Sequence, residues 1–168
     1  MASLIEFKGK KPILGERVFI AEGAKVIGDV EIGDDSSVFY NAVIRADLAE
    51  IRIGKRTNIQ DNVTVHEETF VDHDVTVGHG AILHGCHIEP NCLIGMHSTV
   101  MDDALIGEGS VVAAGCVVTK GMVIPPGSIV MGVPGRIVSE DVPGIAEQMR
   151  KAALHYIDLA REQLPETE

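Results

Sequence analysis

Five of the seven histidines in this 168-residue chain fall between Val65 and His87, in VHEETFVDHDVTVGHGAILHGCH, a stretch otherwise rich in Val, Ile, Gly and Thr. Three neutral imidazoles around an open fourth position make a catalytic metal site, and a metal held that way lowers the pKa of bound water to about 7. His66, His79 and His84 are the candidate ligands: the first and last are eighteen residues apart, and His79 precedes His84 by five. Such a set suits Zn2+, with Fe2+ or Co2+ equally compatible. Cys86 is a soft donor two residues past His84, but Cys86, Cys92 and Cys116 share a small-residue slot and read as core. His73, His87, His97 and His155 read as solvated surface groups.

The elements that must position these residues follow from a period of six. An aliphatic side chain recurs at Leu14, Ile20, Val26, Ile32, Val38 and Ile44, and again at Ile53, Ile59, Val65, Val71 and Val77. It then runs from Ile82 through Ile88, Ile94, Val100, Ile106, Val112, Val118 and Ile124 to Val130, with a small residue four positions after most of these. Neither a 3.6-residue helical period nor a hairpin sheet matches. A parallel β-solenoid does: three hexads close one triangular coil of eighteen residues, and coils stack about 4.8 Å apart. The pattern predicts about seven coils with capped ends.

Two irregularities break the period, nine residues between Ile44 and Ile53 and five between Val77 and Ile82, and loops or tightened corners are expected at both. On the prism, His66 and His84 stack on one corner of adjacent coils. His79 lies one hexad before His84, on a neighbouring corner, and cannot join them within one chain. Three-fold side-by-side assembly would bring the His66/His84 corner of one subunit to the His79 corner of the next, giving three sites per homotrimer.

Composition agrees with a narrow sheet-lined core: 45% of residues are hydrophobic and only 4% aromatic, with no Trp. A net charge of −11 argues against nucleic acid as a partner. No apolar run approaches the ~18 to 20 residues of a membrane span, and no export signal is read at the N-terminus, so a soluble cytoplasmic protein with free thiols is expected. The period ends after Pro125-Pro126 and the Gly132-Val133-Pro134-Gly135 turn. A β-helix over 1–138 and a helical segment over 139–168 packed on it are predicted. The helix is expected to start near Ser139 to Pro143, with Ile145, Met149, Ala152, Tyr156, Leu159 and Leu164 as its apolar stripe. Pro165 to Glu168 is expected to fray.

The histidine trio in VHEETF and VGHGAILHGC, together with Arg45-Ala46-Asp47 and Asn58-Ile59-Gln60-Asp61-Asn62, resembles the γ-class carbonic anhydrases, a family of hexapeptide-repeat, left-handed β-helix proteins. The resemblance supplies the left hand of the coil. It implies reversible hydration of CO2 to bicarbonate, with the metal bound by His66 and His84 of one subunit and His79 of its neighbour. By position it gives Gln60 a hydrogen bond to the metal-bound water or bicarbonate and Asp61 an orienting role. Arg45 and Asp47 would form an ion pair across the trimer interface, Asn58 and Asn62 would support the polar wall, and Tyr156 matches the family's active-site tyrosine. The best-studied members carry proton-shuttle glutamates directly after the Asp47 position and on an acidic loop. Leu48 stands at the first place and only Glu67 and Glu68 follow His66, which resembles the shorter subgroup. A hexapeptide-repeat acyl-CoA-dependent acyltransferase and a non-catalytic trimer held by its metal are the competing readings.

Overall fold

The computed structural model describes residues 2–164, so the expected fraying of Pro165 to Glu168 lies outside the described residues. The chain winds as a left-handed parallel β-solenoid of about seven turns with one C-terminal helix. Two-residue strands such as Leu93–Ile94, Leu105–Ile106 and Val111–Val112 alternate with turns, and each pairs in parallel with the strand one coil away. Among the described residues the antiparallel pairings are Arg136–Ser139 against Ile129–Met131 and an isolated bridge between Phe7 and Lys10.

The core is built by the periodic aliphatics. Ile44, Ile59, Val65, Val77, Ile88, Ile94, Ile106 and Val112 are fully buried, and Ala24, Ala42, Thr69, Ala81, Ser98, Ser110 and Ser128 fill the small slots beside them. Cys86, Cys92 and Cys116 are free thiols in the same slots; burial pushes Cys86 and Cys92 up to about 12, which leaves them unreactive.

Both irregularities differ from expectation. The three extra residues before Ile53 form no loop: Val43–Ile53 is one continuous strand that turns a prism corner beside Lys25–Ile32. The surplus is absorbed where the register shifts between Gly28 and Val30, pushing out Asp47 to Glu50 between Ala46 and Ile51. Backbone pairing on both sides of the bulge satisfies the main chain, which a loose loop would not do. The five-residue slip also moves. Leu83, not Ile82, is buried and pairs with Val65, while Ile82 is 42% exposed. The shortened step therefore falls between Leu83 and Ile88, at Gly85, whose φ is 63°.

The helix is Ile145–Gln163, entered through Gly144 at φ 72°, so Glu140 and Asp141 precede it and Glu147 is the acid of its first turn. Its buried line is Ile145, Ala153, Ile157 and Ala160. Of the expected stripe only Ile145 is in that line; Met149, Ala152, Tyr156, Leu159 and Leu164 are half-buried along its border. Alanine stands at two of the four buried positions, and the helix lies against the strands Phe19–Ile20, Ser37–Val38, Asn58–Ile59 and Thr76–Val77. Phe19 and Phe39, with ring centroids 5.6 Å apart, pack with Ala160 and Tyr156. The helix thus returns along one prism face, and Arg161 reaches Asp35 at 3.1 Å near its end.

Candidate metal centre

The parallel ladder sets Arg45, His66 and His84 directly opposite one another on three successive coils. His66 Nδ1 faces His84 Nε2 at 3.3 Å. The other nitrogen of each ring is held by a carboxylate: His66 Nε2 lies 2.9 Å from Asp47 Oδ1, and His84 Nδ1 lies 3.0 Å from Asp102 Oδ1.

Protonation states follow. The hydrogen bond from His66, joined by Arg45 and opposed by burial, holds Asp47 below the ordinary carboxylate range. Burial raises Asp102, but bonds from its own backbone N–H and from His84 outweigh it, and its carboxyl is also lowered. Ionised carboxylates only accept, so His66 Nε2 and His84 Nδ1 are the donors in these two bonds. The remaining ring nitrogens, His66 Nδ1 and His84 Nε2, face each other at 3.3 Å. A divalent cation can be shared by two such nitrogens. Two tetrahedral ligands at ~2.0–2.1 Å from one ion stand about 3.3 Å apart, so the donor set fits a divalent metal. The Asp partners are the outer-shell carboxylates that such histidines use.

Glu67 belongs to the same cluster. One ligand atom each of His66, Glu67 and His84 lie within 4.8 Å of one another. Neither Asp102 nor this role of Glu67 was legible in the residue types alone, although Asp102 lies eighteen residues after His84 and the repeat itself could have pointed to it.

His79 stands elsewhere, on the turn after Thr76–Val77, and is not within reach of the other two. Its Nδ1 is 2.7 Å from Asp61 Oδ2. Gln60 is buried and donates from Nε2 to Asn58 Oδ1 at 3.1 Å, and Asn58 donates to Thr76 Oγ1 at 2.9 Å. Tyr156 of the helix joins His79 and Gln60 around a cavity of about 250 Å3. Burial, with the charge of Asp61, raises its hydroxyl pKa. Asn62 sits apart, an exposed turn residue at φ 60°. One chain therefore carries two separate clusters, Arg45/Asp47/His66/His84 and Asn58/Gln60/Asp61/His79/Tyr156. Within one chain Arg45 and Asp47 pair with each other.

An aspartate partner alone does not mark a ligand. His73 and His87 also contact Asp74 and Asp72, yet they are exposed and face no second imidazole.

Residues 85–120 match the family described as bacterial transferase hexapeptide (six repeats). The chain is 45% identical to the carbonic anhydrase of Geobacillus kaustophilus, over 90% of this chain and 86% of that one. It is 36% identical to the mitochondrial gamma carbonic anhydrase 2 of Arabidopsis thaliana, over 95% of this chain and 61% of that one. A hexapeptide transferase family protein from Anaplasma phagocytophilum superposes with a TM-score of 0.93 at 39% identity, covering 96% of this chain and 98% of that one.

Proposed function

This chain belongs to the γ-class carbonic anhydrase family of hexapeptide-repeat proteins, and on that premise we propose that it catalyses the reversible hydration of CO2 to bicarbonate. The site we propose takes His66 and His84 from one subunit and His79 from the next, in a homotrimer with three such centres, holding Zn2+ or, equally suited to the ligands, Fe2+ or Co2+. The observation that carries this reading is the pair of ring nitrogens facing each other at 3.3 Å, each on an imidazole whose other nitrogen is held by an aspartate. When bound, such an ion supplies the Lewis acidity that turns water into a nucleophile near neutral pH.

The residues divide the remaining work. Asp47 and Asp102 hold the protons of His66 Nε2 and His84 Nδ1, which keeps the opposite nitrogens free to bind. Asp61 does the same at His79 Nδ1, leaving Nε2 to reach across a subunit boundary. Arg45 fixes Asp47 from the exposed side. The Asn58–Gln60 bond orients the Gln60 amide beside the cavity, where a carbonyl acceptor and an N–H donor suit bicarbonate, and Tyr156 closes its wall against water. The compartment proposed is the cytoplasm; among the described residues no helix is long and apolar enough to cross a membrane.

The deciding experiment measures metal content and CO2 hydration on the purified protein and on His79→Ala. Stoichiometric metal and hydration in the first, with hydration abolished in a still-folded second, is the expected result. Unchanged hydration by His79→Ala would sink the shared site. Acyl transfer from CoA is the second reading, favoured by the transferase description of the similar structure. It needs one histidine base per site and leaves the facing nitrogens unexplained. Chelation separates the two, since acyl transfer survives metal removal. A non-catalytic, metal-stabilised trimer would instead keep its metal and show no hydration.

A further inference from the structure

We propose that Glu67 is a metal ligand in its own right, completing with His66 and His84 a two-histidine, one-carboxylate set inside a single chain that holds the ion whenever the neighbour's His79 is not in place. The inference rests on the metal-site reading above and adds a donor to it.

Two observations point to it. The ligand atoms of His66, Glu67 and His84 lie within 4.8 Å of one another, so three donors converge without any second subunit. Among the described residues no hydrogen bond or ion pair occupies the Glu67 carboxylate, although Arg45 is directly beside His66 in the ladder and is taken up by Asp47. The carboxylate is left within the same cluster as the two imidazoles, and an anion there neutralises part of a divalent charge.

The backbone supports the same conclusion. Glu67 has φ 59°, a left-handed conformation that disfavours a side chain with a Cβ. One coil on, the residue above it is Gly85 at φ 63°, the residue type this conformation prefers. The other left-handed positions of the coils are mostly Asn, Asp or Gly. A glutamate kept where the next coil uses glycine is strain located beside a metal-binding pair, where strain has functional meaning.

The chemical consequence concerns loading. A protomer with only two histidines would bind a metal weakly until it met a neighbour. With Glu67 it presents three protein ligands before assembly, and His79 replaces the carboxylate when the interface closes.

The test compares metal dissociation constants for wild type, Glu67→Gln, His79→Ala and the double variant, by competition of Co2+ or Zn2+ against a chromophoric chelator. Co2+ absorption reports the ligand set. Glu67→Gln alone is expected to stay within about threefold of wild type. His79→Ala is expected to retain one weaker-bound ion per chain, and adding Glu67→Gln to weaken it at least about tenfold further and change the Co2+ spectrum. Identical affinity and spectrum in His79→Ala and the double variant would overturn the proposal while leaving the three-histidine site intact. Absence of metal binding by wild type would remove both. His79→Gln serves as a second background if the alanine variant is insoluble, and circular dichroism verifies the fold of each.

Discussion

At the residue scale, the site depends on which ring nitrogens carry protons. Asp102→Asn tests this, because an amide at that place can donate as well as accept and no longer fixes the proton on His84 Nδ1. Metal affinity is expected to fall about 10- to 100-fold by calorimetric titration, with the fold unchanged. Glu67→Gly makes the opposite point. Relief of the left-handed backbone is expected to raise the stability of the metal-free protein by up to about 1 kcal/mol in urea unfolding, after the greater freedom of glycine in the unfolded chain is subtracted. Destabilisation by that substitution would mean the conformation is not strained. Counting eighteen residues from His66 found His84; the same count from His84 reaches Asp102 but cannot say which rotamer turns it toward the ring.

At the element scale, the five-residue step decides which of two adjacent aliphatics enters the coil. Leu83→Ala is expected to cost about 2–5 kcal/mol in urea unfolding, and Ile82→Ala less than about 0.5. The reverse order would restore the slip to the position the period suggests. The helix adds a pH-dependent contact. Asp35 is lowered to about 2, chiefly by the Arg17 hydrogen bond, with Arg161 of the helix also contributing against the opposing effect of burial. Its folded pKa is below the ordinary 3.8, so its contribution is complete above that value and lost as pH falls through about 2. Asp35→Asn is expected to flatten the acid limb of the stability curve between those two values, as followed by circular dichroism. The helix was legible as an apolar 3.6-period stripe. Its burial axis was not, because it depends on where the helix docks, with Ala160 set against Phe19 and Phe39.

At the scale of the whole molecule, the proposed shared centre requires assembly, because His79 lies on a different part of the prism from His66 and His84. Complementation measures this directly. His79→Ala keeps the His66/His84 half and His84→Ala keeps the His79 half, so each is expected to be inactive alone. Refolded together at equal amounts, random trimers are expected to recover about a quarter of wild-type hydration, since each interface is intact when one given order of subunits meets. No recovery, with mixed trimers demonstrated by mass spectrometry, would refute sharing between subunits.

The sequence by itself determined the coil, its number of turns and the stacking of His66 on His84, because a parallel ladder converts residue count into position at about 4.8 Å per turn. It also separated His79 from that pair by one corner. Only the tertiary structure decided that Leu83 rather than Ile82 faces inward, that the extra residues before Ile53 extend a strand, and that Asp47, Asp102 and Glu67 converge on the imidazoles. Those outcomes turn on side-chain direction and on competition for one buried slot, which are settled by the neighbouring coils and leave no mark on local residue type.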